Sequence, residues 1–170
     1  AIAELPRNLV RFHGCGVGEP FTEEQTAAIV LTRLASLARG YSAVRIEVLE
    51  GLARLLTERV LPVVPSQGSV GASGDLTPLS YVAAALYGER EVRWRGRTLP
   101  AAQALAEVGL EPLSLEPKES LALMNGTSAM TGIACLALVR AQRLARWAAA
   151  LTALTSDVLQ GEPRHFDARL

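Results

Sequence analysis

The apolar run TSAMTGIACLALVRAQRLARWAAALTALTSDVLQG, residues 127–161, constrains the fold more than any other stretch of the sequence. Its pattern predicts one helix of about thirty residues, which is roughly 45 Å long at 1.5 Å per residue. A compact domain of this length has a radius of gyration of about 15 Å, so it cannot cover such a helix by itself. We therefore expect oligomerisation, a chain that is part of a longer polypeptide, or both.

Helix signals elsewhere predict a mainly α fold. Thr22 and Gln25 have the spacing of a capping box at the start of a helix. A short helix is predicted before Asn125, with Pro117 at its first position. Only the run EVRWRGRTLP, with Arg95-Gly96 at its turn, predicts a β structure, and this is a minor β-hairpin.

Charge and composition exclude several classes of partner. The 17 basic and 17 acidic residues cancel, which argues against an electrostatic grip on nucleic acid or on an anionic membrane. An aromatic content of 5% is too low for a base-stacking surface. The uncharged run 120–139 contains glycine and polar residues that interrupt it, so we expect no membrane span there.

The two cysteines indicate a reducing compartment. Cys15 and Cys135 have no metal-ligand spacing, and we expect both to pack as small apolar groups, with no metal bound. No basic segment followed by an apolar run opens the sequence, so no signal peptide is expected. Together these features predict a cytoplasmic protein.

The stretch GSVGASGDLTPLS, residues 68–80, has three glycines within its first seven residues. Such density costs backbone entropy and indicates a loop in which the backbone itself is needed. The ordinary interpretation is a turn in which Ser73 or Asp75 caps the next helix. A phosphate-binding loop is excluded, because Asp75 follows Gly74 where that motif needs a lysine.

A third interpretation is chemical. In Ala72-Ser73-Gly74 the glycine nitrogen is unhindered, and in a tight bend it can attack the Ala72 carbonyl and close a five-membered ring. Loss of water from the ring and from the Ser73 side chain would leave a methylene group that is strongly electrophilic. The flanking glycines permit the strained bend that this requires. The residues alone leave the capping and the chemical interpretations both open.

The same stretch resembles the signature of the aromatic amino acid ammonia-lyase and aminomutase family. The Ala-Ser-Gly of that family becomes the prosthetic group 4-methylideneimidazol-5-one (MIO). Further resemblances follow in the family's order along essentially the whole chain: NLVRFHGCGVGEP, RLASLARGYSAVR, KESLALMNGTSAMTG and GEPRHFDARL. The resemblance implies a long-helix bundle, of which residues 1–170 form a single MIO-bearing unit, and a homotetramer in the complete enzyme.

The resemblance also assigns roles to individual residues. Ala72, Ser73 and Gly74 would form MIO autocatalytically, and Asn125 would hold the substrate carboxylate. His13 and Phe12 would line the pocket for the substrate side chain. Without the resemblance, Asn125 is a helix C-cap, His13 forms a structural hydrogen bond and Phe12 packs in a core. His165 matches no family role and is expected to be structural or exposed.

The implied reaction removes ammonia from an aromatic L-amino acid and releases an α,β-unsaturated acid. His13 matches the histidine-type members and favours conversion of histidine to urocanate. Phe12 leaves tyrosine or phenylalanine as substrate, and a 2,3-aminomutase, as alternatives. A non-catalytic helical assembly fragment is the alternative from another class.

The resemblance finally implies that the catalytic machinery is incomplete within these residues. In the family the base is a tyrosine on a mobile loop upstream of the matched segment, and further pocket residues lie downstream of it. We therefore expect the 170-residue chain by itself to be inactive.

Overall fold

The computed structural model describes residues 4–169. Its contacts divide the chain into two units, with the boundary between Ala134 and Cys135. The first unit contains the sheets and most helices, and the second contains the greater part of the long helix. The expectation that residues 1–170 act as a single unit stays a prediction.

Helices dominate the described residues, as the sequence predicts. In chain order they are α1 Leu5–His13, α2 Glu23–Leu37, α3 Ile46–Thr57, α4 Leu76–Leu86, α5 Ala101–Glu107, α6 Glu119–Met124 and α7 Ser128–Val158, followed by a 3₁₀ turn at Pro163–Phe166. The predicted capping box starts α2: Gln25 N–H donates to Thr22 Oγ1 at 3.2 Å, and Thr22 N–H donates to Gln25 Oε1 at 2.9 Å.

The strands exceed the single hairpin that the sequence predicts. The hairpin is present as β4 Glu91–Trp94 and β5 Arg97–Pro100, and β2 Leu61–Pro62 adds to it as an antiparallel edge strand. A separate antiparallel pair joins β1 Val17–Pro20 to β3 Pro65–Gln67. These three additional strands are two to four residues long and carry no alternating pattern, so sequence reasoning missed them.

The core of the first unit forms around α4. Every residue of this helix from Thr77 to Leu86 is buried, because α1, α5 and α6 pack against it. Pro78 lies in the first turn of α4, where it interrupts no helix hydrogen bond. The loop that precedes α4 is therefore attached to a helix that is buried along nearly its whole length.

The start of α6 differs from its prediction. Pro117 is not the first helical residue: α6 begins at Glu119, after Lys118 in a left-handed conformation with φ of +77°. The Glu119 carboxylate, on a residue only 3% exposed, accepts hydrogen bonds from Arg45 and from the Glu116 N–H. These contacts with distant and local partners determine where the helix begins.

Helix α7 spans 31 residues, as its apolar run predicts. Beyond residue 134, the second unit exposes its large apolar side chains: Leu138, Val139, Leu144, Trp147, Leu151, Leu154 and Val158. By length and composition alone, the stretch 119–158 would suffice to cross a membrane, because it contains an 18-residue window with a mean hydropathy of 1.5. The expected interruption is present, however, because α6 and α7 are separate helices on either side of residues 125–127.

The expected packing of the cysteines is wrong. Cys15 and Cys135 are both free thiols, and both are exposed. Cys15 lies in the connection after α1, and Cys135 lies on the uncovered part of α7. Neither position belongs to the core of the described residues.

Candidate active site

The glycine-rich loop, residues 68–75, connects β3 to α4. Gly68, Gly71 and Gly74 have φ values of +137°, +65° and +130°, which side-chain-bearing residues rarely adopt. Ala72 and Ser73 are exposed between the last two of these glycines. The density of glycine is thus explained by the backbone path of the loop.

Gly74 packs directly against the end of α6. A Cβ atom at this position would lie 2.7 Å from the Gly126 nitrogen and 3.1 Å from Asn125 Oδ1. Only glycine permits this approach. The structure therefore brings together Gly74 and Asn125, which the sequence analysis selected on separate motifs.

Asp75 fixes the position of the loop. Its carboxylate, on a residue 5% exposed, accepts the Ser69 hydroxyl at 2.8 Å and the Met130 N–H at 2.8 Å. Its own N–H donates to the Gly126 carbonyl at 2.7 Å. The negative charge thus lies at the N-terminus of α7, where the helix dipole stabilises it.

The capping interpretation of this loop predicts the position of Asp75 correctly but not the hydrogen bonds of its side chain. Asp75 occupies the N-cap position of α4, yet its side chain makes no capping hydrogen bond to that helix. Its carboxylate binds α7 instead. Sequence reasoning missed this role because Met130 is 55 residues away along the chain.

The turn after α6 carries Asn125. This residue occupies the C-cap position of α6, so its ordinary structural role is present together with its contact to Gly74. Behind the turn, Arg33 of α2 donates to the carbonyls of Ala122 and Asn125, the second at 3.2 Å. Sequence reasoning did not select Arg33, because an arginine within a helix is usually exposed.

His13 ends α1 and is half-buried. Its Nδ1–H donates to the Leu9 carbonyl at 2.9 Å, so the neutral ring carries its lone pair on Nε2. Phe12 contacts the imidazole edge-on, with ring centroids 5.1 Å apart. Phe12 is 79% exposed, which contradicts the core packing otherwise expected for it.

The segment that follows His13 lies against the glycine-rich loop. Arg90 stacks 4.4 Å from the centre of the Tyr81 ring and donates to the Gly14 carbonyl at 2.7 Å. The Gly16 N–H donates to the Tyr81 hydroxyl at 3.0 Å, and a Cβ at Gly68 would lie 3.2 Å from Gly16 Cα. His13 is thereby connected to the loop through one short, fixed segment.

The sequence matches the aromatic amino acid lyase family over residues 1–170. The chain belongs to this family. It is 48% identical to histidine ammonia-lyase of Geobacillus kaustophilus and 50% identical to that of Sorangium cellulosum, with 99% of this chain aligned in both. The alignments include 34% and 33% of those two proteins, so the chain spans about a third of the length of these relatives.

Solved structures of an ammonia-lyase and an aminomutase have the same fold as this chain over most of its length. Histidine ammonia-lyase from Trypanosoma cruzi superposes with a TM-score of 0.92 at 34% identity, over 98% of this chain and 33% of that one. Tyrosine aminomutase from Streptomyces globisporus superposes with a TM-score of 0.85 at 51% identity, over 91% of this chain and 29% of that one. The chain therefore has the fold of a part of the ammonia-lyases, as its resemblance implied.

In this lyase segment a cavity of about 530 Å³ opens beside the loop. Ser69, Gly71 and Asp75 line one side of it, and Met130 and Ile133 of α7 line another. Within residues 4–169, no three His, Cys, Asp or Glu side chains are grouped so as to hold a metal ion. His165 is exposed on the 3₁₀ turn.

Proposed function

We propose that this chain is the MIO-bearing part of an ammonia-lyase that converts L-histidine to urocanate. The observation that carries the proposal is the placement of Ala72-Ser73-Gly74 in a constrained loop whose last glycine touches Asn125. The 48–50% identity to histidine ammonia-lyases supports the choice of reaction.

The residues present fit the MIO group. Ala72 and Ser73 are exposed, and no Cβ shields the nitrogen of Gly74. The Asp75 carboxylate, through Ser69 and Met130, fixes the loop immediately after the tripeptide. MIO supplies an electrophilic methylene that converts the substrate amine into a good leaving group.

The other site residues bind and orient the substrate in this proposal. The Asn125 amide, beside Gly74, holds the substrate carboxylate. The lone pair on His13 Nε2 accepts the N–H of the substrate imidazole, since Nδ1–H is already donated to Leu9. Phe12 offers an exposed aromatic face next to that ring.

A tyrosine 2,3-aminomutase, or a tyrosine or phenylalanine ammonia-lyase, is the second candidate. The specific observation in its favour is the 51% identity to tyrosine aminomutase from Streptomyces globisporus. The exposed Phe12 ring could equally contact a substrate phenyl ring. A lyase and a mutase share the electrophile, so product identification separates them.

The proposal also includes the oligomeric state and the cellular compartment of the enzyme. The exposed apolar side chains of α7 would be buried by helices of other copies in a homotetramer. Neither a membrane nor nucleic acid is a partner in this proposal. The free thiols of Cys15 and Cys135 are compatible with a reducing cytoplasm.

Replacement of Ser73 by alanine in the full-length enzyme tests the proposed function. The variant should no longer release ammonia from histidine. It should also keep the two water molecules that ring formation removes from the wild type, so its mass should exceed the wild-type mass by two waters minus the one oxygen atom that the substitution deletes. Its circular dichroism should not change, because Ser73 is exposed. Ser36→Ala, at an exposed serine on α2, is the matched control and should keep full activity.

Three substrates complete the experiment. Histidine, tyrosine and phenylalanine are each supplied to the wild-type enzyme, and the products are identified by mass spectrometry and ultraviolet spectra. Urocanate from histidine supports the first candidate, and a β-amino acid from tyrosine supports the second. A wild-type mass equal to that of the unmodified sequence, with no turnover of any substrate, supports the assembly fragment instead.

A further inference from the structure

Arg33 is a charged side chain buried behind the turn that carries Asn125. It is 3% exposed, and its Nη2 donates to the carbonyls of Ala122 and Asn125. Its Nη1 lies 3.5 Å from the Ser128 hydroxyl. The rigid guanidinium fork thus bridges the end of α6 and the start of α7, which a flexible ammonium could not do at several acceptors simultaneously.

The charge of Arg33 has no acidic partner among the described ion pairs of residues 4–169. Burial lowers the pKa of its guanidinium. Burying a charge in this way costs free energy that an apolar side chain of the same volume would avoid. The position of Arg33 is therefore poorly explained by stability and better explained by the geometry that it imposes.

The contacts of Arg33 continue to the glycine-rich loop through Gly126. A Cβ at Gly126 would overlap Arg33 Nη1, so the guanidinium occupies the space beside this glycine. On its other side, Gly126 accepts the Asp75 N–H at 2.7 Å and is the residue that a Cβ at Gly74 would strike. Arg33, the turn and Gly74 form one continuous packed series.

We propose that Arg33 is a positioning residue, which holds the Asn125–Gly126 turn against Gly74 and thereby fixes the Asn125 amide where the substrate carboxylate binds. The inference rests on the proposed function, since it assigns the carboxylate contact to Asn125. Every α-amino acid substrate carries the same carboxylate. Loss of Arg33 therefore weakens the binding of all substrates alike, irrespective of their side chains.

The test replaces Arg33 by lysine, which keeps the charge but cannot bridge the same acceptors, in the full-length enzyme. KM should rise about tenfold for every substrate that the wild type accepts, with kcat reduced less, which is the pattern expected when ground-state binding is lost. The ratio of kcat/KM between substrates should stay unchanged. The intact mass should still show the loss of two water molecules from the loop.

Arg45→Lys is the matched control. Arg45 holds the opposite end of α6 through Glu119, so its replacement loosens the same helix without touching the Asn125 turn. It should lower the melting temperature and leave KM unchanged. Equal KM values in Arg33→Lys and the wild type, or an equal rise in both variants, would overturn the inference.

Gly126→Ala provides a second variant in case Arg33→Lys does not fold. The added methyl group would occupy the space that the Arg33 guanidinium fills, so it should displace the guanidinium from the turn. The same rise in KM for all substrates is therefore expected. A folded Gly126→Ala enzyme with wild-type KM values would contradict the inference. An inactive wild type with an unmodified mass would contradict the proposed function instead, so the two failures are distinguishable.

Discussion

His13 shows how one hydrogen bond can determine which atom a residue offers to a ligand. The Leu9 carbonyl occupies Nδ1, so Nε2 is the atom left for a substrate. An imidazole N–H would satisfy that acceptor, whereas a phenyl ring could not. The choice between histidine and phenylalanine as substrate is therefore expected to depend on this nitrogen.

Replacing His13 by leucine in the full-length enzyme should reduce kcat/KM for histidine far more than for phenylalanine. The lost hydrogen bond to a desolvated imidazole is worth about 1–3 kcal/mol, which is roughly a fivefold to 150-fold loss. Steady-state kinetics with both substrates measures it. His165→Leu, at an exposed histidine, should leave both values unchanged. Equal losses for the two substrates in His13→Leu would remove the reason to prefer histidine.

At the scale of elements, α6 is a short helix fixed at both ends by arginines from other parts of the chain. Arg45 binds Glu119 at its start, and Arg33 binds the carbonyls at its end. Burial alone would raise the pKa of Glu119, but the hydrogen bonds from Arg45 and from backbone N–H groups outweigh it and hold that pKa below its ordinary value. The start of α6 is therefore held by an ionised Glu119.

Glu119→Gln should lower the free energy of unfolding of the chain by about 1–3 kcal/mol at neutral pH, because a charged hydrogen bond to Arg45 is lost. A carboxyl whose pKa is depressed by folding contributes its stability above the ordinary glutamate value of about 4.3. That contribution disappears as the pH falls through the folded pKa, so wild type and variant should converge in acid. Urea unfolding at several pH values measures this.

The exposed pair Arg54–Glu58 on α3 provides the control for this measurement. Glu58→Gln should cost at most about 0.5 kcal/mol, as is usual for an exposed pair at this helix spacing. A difference between Glu119→Gln and the wild type that stayed constant down to strongly acidic pH would show that Glu119 acts by packing and not by charge.

The long helix, the capping box and the hairpin could be predicted because each depends on neighbours in the sequence. Thr22 and Gln25 bond to one another, and Arg95-Gly96 forms its turn locally. The roles of Asp75 and Arg33 could not be predicted, since their partners are on helices far along the chain. The site residues themselves were found by resemblance, and the structure added the groups that hold them in place.

At the scale of the whole molecule, the chain exposes more apolar helix surface than a soluble monomer usually does. It also spans about a third of the length of its curated relatives. We therefore predict that the isolated chain self-associates and does not release ammonia from histidine. Light scattering should give a mass above 18.1 kDa, and the activity should be absent.

A flotation experiment with lipid vesicles distinguishes burial of the apolar surface of α7 against other helices from its insertion into a membrane. The chain should stay in the aqueous fraction as an oligomer, because the apolar surface is proposed to pack against other helices. Flotation of most of the protein with neutral vesicles would instead support the membrane-crossing capacity that its composition permits. A monodisperse monomer that deaminates histidine would contradict the prediction entirely.

The hydrogen bond between Asp75 and Met130 also has a consequence for the order of events during synthesis. The two residues are 55 positions apart, so a ribosome adding about 5–20 residues per second needs several seconds to pass from one to the other. During that interval Ala72-Ser73-Gly74 is an ordinary peptide without its support. In the proposed enzyme we therefore expect the reactive group to mature after the first turn of α7 has docked, which would keep the electrophile out of the nascent chain.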